Sequence, residues 1–395
     1  MSDIAVIGAG PAGLMAAEVL ARAGHRVTIY EAKPSPARKF LMAGKSGLNF
    51  TRDEPPAQFA ANYDAPWLAP ILSAFGPPEV MAWARGLGIE LFTGSTGRVF
   101  PVEMKGSPLL RAWLRRLDGL GVQLQRRWRW TGWQGATLRF ETPGGEHLVI
   151  PDATFLALGG ASWPQLGSDA AWVPWLAAKG VEVAPFRPAN MGFTVAWSAH
   201  MAPHFGAPVK GAALMAGGRV SRGEFVVSAH GIEGGGVYAL SALVRDGAAL
   251  TLDLTPDRSL AEVAGRLARP RGADTVANWL RKALHLDPLK LALLQEWGRP
   301  LPAAPEKLAR LIKSLPVRHQ GPRPIAEAIS SAGGITAASL TEGFELRALP
   351  GTYAVGEMLD WEAPTGGYLI TACLATARHA ALAAAAQLRS GLLHC

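Results

Sequence analysis

The first thirty residues alternate between short apolar runs and a glycine-rich segment. The apolar run Ile4–Ile7 leads into Gly8–Gly13, spaced G-x-G-x-x-G, and a second apolar run, Val27–Tyr30, ends at Glu31. The pattern predicts a buried strand, a tight turn, a helix and a second parallel strand with a carboxylate at its end.

The hydrophobic pattern changes twice farther along the chain. The apolar stretch 154–158 before Gly159-Gly160 predicts one more buried strand, and residues 67–87 have a helical pattern. Residues 187–256 are typical of short strands in a small barrel or sandwich, and 257–325 of helices broken by prolines. Residues 326–395 return to α/β character and end in an alanine-rich helix over 373–388. The predicted architecture is a nucleotide-binding domain (1–186 and 326–395) with two insertions.

The opening glycines have the chemistry of a dinucleotide site. Gly8 permits the tight turn, Gly10 lets the backbone approach a pyrophosphate, and Gly13 lets the helix pack on the strand. The free N–H groups at the helix N-terminus then face the phosphates. Glu31, 18 residues after Gly13, is placed to accept hydrogen bonds from the adenosine ribose hydroxyls.

Composition narrows the class of protein. The chain has 395 residues, of which 49% are hydrophobic and 18% charged, as in a globular protein with a large core. No run approaches the roughly 18–20 apolar residues of a membrane span, and the chain opens on a predicted strand rather than a signal peptide. Two cysteines, Cys373 and Cys395, exclude a disulfide scaffold and a cysteine-rich metal site. A cytoplasmic protein without a metal site is expected.

The net charge of +8 is concentrated in one segment. Between residues 256 and 325, 13 Lys or Arg stand against 6 Asp or Glu. This asymmetry indicates an anionic partner, and solvated helix faces produce the same pattern. The segment is predicted to bind RNA, with a small-molecule substrate and no RNA as the alternative. The side chains predicted to face the RNA are Arg310, Lys313, Arg318, His319 and Arg323.

Two later stretches indicate which dinucleotide binds. Residues 38–51 follow Glu31 with a basic, glycine-containing segment, and residues 350–360 predict a strand that ends in Gly-Glu-x-x-Asp. A Gly-Gly-Tyr helix start follows at 366–368. This arrangement looks like the second half of an FAD site, where the acid reaches the ribityl–pyrophosphate region and the helix N-terminus faces the flavin pyrimidine edge.

Together these motifs resemble the BaiN/RdsA-like family of bacterial NAD(P)/FAD-dependent oxidoreductases, over essentially the whole chain. The resemblance implies an α/β fold in which a two-segment Rossmann-type FAD-binding domain is interrupted by a β-barrel-like insertion (187–256) and a small helical insertion (257–325). It also implies non-covalent FAD, NAD(P)H as transient reductant, and reduction of carbon–carbon double bonds in bile acid intermediates or in a uracil of ribosomal RNA. Leu48 stands where many relatives have a cysteine, and Glu233 departs from their Gly-x-Ser-Gly-Pro, which indicates a divergent subgroup.

The resemblance also implies site residues by position. The cofactor-binding residues are Gly8, Gly10, Gly13, Glu31, Arg38, Lys39, Gly356, Glu357, Asp360, Gly366, Gly367 and Tyr368. The candidate pocket and catalytic residues are Lys45, Asn49, Thr51, His230 and Glu233. Among these, Lys45 would polarise a substrate carbonyl, and His230 or Glu233 would supply a proton.

The preferred function is an oxidoreductase that passes hydride from NAD(P)H through FAD to an activated C=C bond, with a ribosomal RNA uracil as the substrate. A reductase of a small steroid-like or enone metabolite is one alternative. A non-catalytic protein that binds FAD and RNA is another, and a flavin monooxygenase is the third.

Overall fold

The computed structural model describes residues 1–45 and 47–391; Ser46, and residues 392–395 with the predicted Cys395, lie outside the described residues. The strands, numbered in chain order, are β1 (Asp3–Ile7), β2 (Arg26–Glu31), β3 (Thr51–Arg52), β4 (Leu91–Thr93), β5 (Arg98–Pro101), β6 (Gln123–Arg126), β7 (Arg129–Gln134), β8 (Thr137–Thr142), β9 (Gly145–Val149), β10 (Ala153–Leu156), β11 (Val183–Ala189), β12 (Phe193–Thr194), β13 (Pro208–Val209), β14 (Ala213–Ala216), β15 (Arg219–Ser221), β16 (Phe225–Ser228), β17 (Gly231–Glu233), β18 (Thr251–Asp253), β19 (Leu315–Pro316), β20 (Ser330–Ile335) and β21 (Thr352–Ala354).

The helices follow the same numbering. They are α1 (Pro11–Arg22), α2 (Arg38–Ala43), α3 (Pro56–Ala60), α4 (Ala69–Ala74), α5 (Pro77–Gly86), α6 (Gly106–Gly119), α7 (Val173–Ala177), α8 (Gly235–Tyr238), α9 (Ser241–Arg245), α10 (Leu260–Leu267), α11 (Val276–Leu284), α12 (Pro288–Gly298), α13 (Pro305–Lys313) and α14 (Tyr368–Ser390). The chain forms two compact units: residues 1–187 together with the stretch from Ser330 make the first unit, and residues 188–329 make the second.

The first unit is built on a five-stranded parallel sheet in the order β6-β2-β1-β10-β21. In its register Ile4 lies between Val27 on β2 and Ala153 on β10. Strand β10 is buried at every position, as expected for a parallel strand covered on both faces. Because all five strands are parallel, the residues that follow β1, β2, β10 and β21 meet at one edge of the sheet.

The last helix is longer than the sequence pattern predicts. It begins at Tyr368 rather than at residue 373, and its 23 residues are long and apolar enough, by length and composition, to cross a membrane. The sequence prediction that no run has this length is therefore wrong. Fifty-six per cent of its apolar window is buried within the protein, and it packs along α1. Buried alanines such as Ala377 and Ala381 form the face of a core helix.

The helical pattern over 67–87 is not one helix. It divides into a 3-10 turn at Pro66–Leu68, then α4 and α5, with the break at Phe75 and Gly76. Pro77 stands at the first position of α5, where its missing N–H has no helical partner to lose.

The second unit contains two four-stranded antiparallel sheets, in the orders β12-β17-β16-β13 and β15-β14-β18-β19, together with α8 to α13. Its buried residues form one hydrophobic cluster. Phe193 and Val227 from the strands and Leu293 and Ile312 from the helices are fully buried members of this cluster. Strands and helices of residues 188–329 therefore share one core.

Candidate functional site

A cavity of about 320 Å³ lies in the first unit at the edge of the parallel sheet. Its lining includes Gly8 after β1, Ala32 after β2, Ala157 after β10 and Val355 after β21. The volume lies within the range of small-molecule and cofactor sites. In open parallel sheets this edge is where nucleotides bind.

The three glycines of the opening motif meet different surroundings. Gly8 has a φ of +103°, and a Cβ there would lie 2.3 Å from the Ala157 carbonyl oxygen. A Cβ on Gly13 would lie 1.9 Å from the Gly8 carbonyl oxygen. No atom of the described residues approaches within 4 Å of the Gly10 Cβ position, and Gly10 lines the cavity directly before α1. Gly8 and Gly13 thus allow close packing, and Gly10 leaves an open cradle at the helix N-terminus.

Glu31 holds its carboxylate in the cavity lining through two backbone contacts. Its Oε2 accepts a hydrogen bond from the Ala9 N–H at 2.9 Å, and its Oε1 accepts one from the Lys33 N–H at 2.7 Å. Burial raises the pKa of Glu31, while these N–H groups and the charges of Lys33 and Arg38 act in the opposite direction. Each carboxylate oxygen retains a lone pair that a ribose hydroxyl can use.

Arg38 and Lys39 open α2 and both line the cavity. Within the described residues, the Arg38 side chain makes no hydrogen bond or ion pair. The Lys39 ammonium donates to Ser162 Oγ at 2.7 Å and to Glu357 at 2.6 Å (Oε2) and 2.9 Å (Oε1). Lys39 therefore neutralises the acid of the late motif rather than standing as a free cation.

The late motif approaches α1 closely. Gly356 has a φ of +81°, and a Cβ there would lie 2.7 Å from the Ala12 Cβ. Glu357 lines the cavity and also accepts the Ser331 N–H at 3.3 Å. Asp360 is outside the set of cavity-lining residues. Burial, followed by the charge of Asp64, raises the pKa of the Asp360 carboxyl.

The Gly-Gly-Tyr segment forms the start of α14 and packs on β3. Gly367, with a φ of +102°, places its Cβ position 2.4 Å from the Thr51 carbonyl carbon. Tyr368 is buried; its hydroxyl donates to Glu54 Oε1 at 2.6 Å, and its ring stacks on Phe59 at 4.7 Å. Burial raises the pKa of the Tyr368 phenol. Tyr368 thus anchors the N-terminus of α14 from the core side.

The predicted pocket and catalytic residues are divided between the two units: Lys45, Asn49 and Thr51 belong to the first, and His230 and Glu233 to the second. Asn49 lies beside the start of α14, with its Nδ2 3.8 Å from the Cβ position of Gly366, and its buried Oδ1 has no hydrogen-bond partner within the described residues. Lys45 lies exposed in the turn after α2. His230 and Glu233 are exposed residues of the second unit. Thr51, also a pocket candidate, is buried and accepts the Thr371 hydroxyl at 2.9 Å.

The family model described as HI0933-like protein Rossmann domain matches residues 2–383. The chain belongs to this family. The α/β Rossmann fold, the resemblance to BaiN/RdsA-like proteins and the class of flavin-dependent oxidoreductase are therefore confirmed.

Two curated relatives of this HI0933-like protein are enzymes with different substrates. The chain is 26% identical over 392 residues to the ribosomal RNA dihydrouridine synthase of Escherichia coli K12, covering 93% of this chain and 94% of that one. It is also 26% identical over 432 residues to the 3-dehydro-bile acid delta(4,6)-reductase of Clostridium scindens, covering 98% and 99%.

A solved structure shares the fold. The chain is similar to 3-ketosteroid-delta4-(5alpha)-dehydrogenase from Rhodococcus jostii RHA1, with a TM-score of 0.53 and 16% identity over 97% of this chain and 96% of that one. At this identity the likeness concerns the fold alone.

The basic segment of this HI0933-like protein carries fewer free charges than its sequence suggests. The Lys313 ammonium contacts Asp253 Oδ2 at 2.6 Å and also donates to the backbone carbonyls of Thr255 and Arg258. Arg323 pairs with Glu327. Intramolecular carboxylates therefore neutralise both Lys313 and Arg323, and contact of these two residues with RNA stays a prediction.

The other three residues predicted to face RNA are Arg310, Arg318 and His319. Arg310 and Arg318 are exposed, and their side chains have no ion-pair partner in the part of the chain that the structure describes. His319 lies against Phe193 at 4.8 Å, and burial lowers the pKa of its imidazole.

Several residues in or beside the cavity are not identified by the motif analysis. Ser162 bonds to Lys39, and Trp128, Trp130, Trp175 and Ser168 line the cavity. The run Trp128-Arg129-Trp130 is visible in the sequence, but as period-2 alternation it indicates only a strand. Cys373, unpaired among the described residues, also lines the cavity, and burial raises the pKa of its thiol to about 12.

Proposed function

We propose that this protein is an FAD-dependent reductase that transfers hydride from NAD(P)H to a carbon–carbon double bond conjugated to a carbonyl group. The observation that carries the proposal is the open cradle beside Gly10, which faces the cavity at the N-terminus of α1 with Glu31 in the same lining. A phosphate fits such a cradle because backbone N–H groups of the first helical turn point into it. When bound, FAD supplies the hydride acceptor and donor of the reaction.

We assign the residues to the parts of an FAD molecule in order. The cradle at Gly10 suits the pyrophosphate, and Glu31 suits the adenosine ribose, with Arg38 as a nearby cation. Gly8 and Gly13 hold the turn and the helix at the spacing that this requires. The remaining residues proposed to face the ribityl chain and the isoalloxazine are Gly356, Glu357, Asp360, Gly366 and Gly367, supported by Lys39 and Tyr368.

Asn49 is the favoured polar group at the isoalloxazine end. Its Oδ1 is buried without a partner within the described residues, and a buried unpaired acceptor is expected to meet a donor when the site is filled. Lys45 remains the candidate that polarises the substrate carbonyl. His230 and Glu233 remain candidates for the proton donor.

The substrate class is taken from what the two curated relatives share. One is named for forming dihydrouridine, and the other for reducing delta(4,6) double bonds of a 3-dehydro bile acid. Both names describe saturation of a C=C bond next to a carbonyl. A conjugated carbonyl makes the distal carbon electron-poor and therefore a hydride acceptor.

The test is an anaerobic half-reaction on the purified protein. We expect heat denaturation to release FAD, and we expect NADH or NADPH to bleach the bound flavin. Addition of a cyclic enone should restore the flavin spectrum with one saturated product per flavin. Release of FMN, or a protein that takes up no FAD, would overturn the proposal. A flavin that neither nicotinamide reduces would favour a binding protein, and a hydroxylated product in air would favour a monooxygenase.

A second candidate is reduction of a uracil in ribosomal RNA. It is supported by the relative that matches 93% of the chain and by the exposed cations Arg310 and Arg318. A uridine would have to leave its stack to reach the flavin, as base-modifying enzymes require. RNA binding that depends on these two cations would distinguish this candidate from a small enone reductase.

A further inference from the structure

Two residues that line the cavity carry a buried polar group without a hydrogen-bond partner in the described part of the chain. Trp130 is 3% exposed and its Nε1 is buried without a hydrogen-bond partner in the described part of the chain; Ser168, 5% exposed, leaves its Oγ in the same condition. Both residues line the cavity. Buried polar groups in native proteins are almost always paired. A ligand in the cavity is therefore the expected partner of both groups.

Both groups belong to segments that pack against the end of β2. The Trp128 N–H donates to the Glu31 carbonyl oxygen at 2.9 Å, and Trp130 follows two residues later on β7. The Cβ position of Gly167 lies 3.4 Å from Lys33 Cε, and Ser168 is the next residue. The Ser168 Oγ itself lies 3.0 Å from the Cβ position of Gly159, which follows β10. Trp130 thus follows the segment that is bonded to the end of β2, and Ser168 lies between Lys33 and the segment after β10.

Local structure holds the Trp130 ring. The ring stands nearly perpendicular to Trp133, at 4.7 Å, and to Trp175, at 5.1 Å. The register between β7 and β8 shifts after Trp130. Such a bulge redirects side chains and is common beside functional sites. Gly132, with a φ of +101°, sits inside the bulge and lets the Trp175 ring approach to 3.5 Å of its Cβ position.

We propose that Trp130 and Ser168 are specificity-determining residues that bind the purine base of the dinucleotide. This inference rests on the proposed function, because it assigns the far end of the same FAD cavity. An indole N–H can only donate, and a serine hydroxyl can donate or accept. A purine presents ring nitrogens as acceptors, and adenine adds an amino donor, so the base satisfies both groups. FMN has no purine, so the pair selects FAD over FMN.

The test measures binding to the full chain freed of flavin. ADP, FAD and FMN are titrated into wild type, Trp130→Phe and Ser168→Ala. The first variant keeps an aromatic ring and removes the N–H; the second removes only the hydroxyl. We expect ADP and FAD to bind about 5- to 150-fold more weakly to each variant, as for an unpaired buried group. FMN affinity should not change.

Trp133→Phe is the matched control, because Trp133 contacts Trp130 but is outside the cavity-lining set; its ADP affinity should equal that of wild type. Unchanged ADP affinity in both test variants would overturn the inference, as would an equal loss for FMN. Thermal unfolding checks that each variant is folded. If Trp130→Phe does not fold, the ADP affinity of Ser168→Ala alone tests the inference. Wild-type protein that binds FAD while the variants match it would contradict this inference alone. Wild-type protein that binds neither ADP nor FAD would contradict the proposed function as well.

Discussion

At the scale of single residues, the glycine motif combines two different physical requirements. Gly13 is needed because the Gly8 carbonyl occupies the space of a side chain, at 1.9 Å from the Cβ position. The Gly10 Cβ position meets no atom of the described residues within 4 Å, so packing within that part of the chain does not require glycine there, whereas a bound phosphate would. The motif therefore separates into a folding glycine and a binding glycine.

We expect Gly10→Ala to fold and lose FAD, and Gly13→Ala to lose stability. Gly10 has a φ of −79°, which alanine adopts, so the free energy of unfolding should change by less than about 1 kcal/mol. Its Cβ would fill the phosphate cradle and weaken FAD binding by more than about tenfold. Gly13→Ala should cost about 3 kcal/mol or more through overpacking. Urea unfolding and FAD titration measure both effects; retained FAD affinity in Gly10→Ala would contradict the cradle.

Glu31 predicts a defined pH dependence of stability. Because burial raises the pKa of Glu31, the folded protein holds this proton more tightly than the unfolded chain. The residue's contribution to stability is therefore complete below the ordinary carboxyl pKa and is lost as the pH rises to the raised folded value. Glu31→Gln has no proton to lose. We compare the free energies of unfolding of the flavin-free variant and the flavin-free wild type. The difference, variant minus wild type, should increase with pH across that window and stay constant above it.

Urea unfolding of both proteins between roughly pH 4 and 8 measures this difference. A difference that does not vary with pH would contradict the prediction.

At the scale of elements, helix α13 is attached to its own unit by a buried ion pair. The side chains of Lys313 and Asp253 are 19% and 10% exposed, and their charged atoms lie 2.6 Å apart. The same ammonium also bonds to the carbonyls of Thr255 and Arg258, at 2.9 and 2.6 Å. Lys313 thus joins α13 to the end of β18 and to the segment that precedes α10.

We expect Lys313→Met to lower the free energy of unfolding by about 3–5 kcal/mol, because it leaves the Asp253 carboxylate buried and unpaired. Chemical unfolding measures the loss. Lys307→Met, on the same helix at an exposed position, should change stability by no more than about 0.5 kcal/mol. Adding Asp253→Asn to Lys313→Met should recover part of the loss. Equal small effects for Lys307→Met and Lys313→Met would show that the pair contributes nothing.

At the scale of the whole molecule, the uneven charge has two components. Part of the positive excess of residues 256–325 is used within the second unit, as at Lys313 and Arg323. Arg310 and Arg318 keep exposed side chains without ion-pair partners in the described residues. Cations of the second kind are available to neutralise phosphates, and each phosphate contact releases counterions from a nucleic acid.

If RNA is the substrate, reversing Arg310 and Arg318 to Glu should weaken RNA binding and lower its salt dependence by about 0.7–0.9 log units per lost contact. Flavin content and reduction of a small enone should not change. Filter binding at several salt concentrations measures the slope. Reversal of Arg111 and Arg115, exposed on α6 of the first unit, is the matched control. If the wild type has no RNA affinity, or if the control loses as much affinity as the test variant, RNA is contradicted as the substrate and the small-molecule reductase is favoured.

Short-range sterics made the first half of the nucleotide site predictable from sequence. The apolar run of β1, the positive φ of Gly8 and the close approach at Gly13 are set by contacts within a few residues, so their spacing predicts strand, turn and helix. The late Gly-Glu motif was recognisable for the same reason. The α/β class and the family followed from these local patterns.

Only the tertiary structure decided which side chains meet. Lys39 and Glu357 are 318 residues apart in the chain, and no periodicity reports that they neutralise each other. Long-range packing likewise pairs Lys313 with Asp253. It also brings Trp130 and Ser168 to one cavity, where their buried polar groups have no partner among the described residues. A sequence pattern records whether a position prefers burial, because that preference belongs to the residue itself. The partner of a charge or a polar group depends on where distant segments fold, and so it appears only in three dimensions.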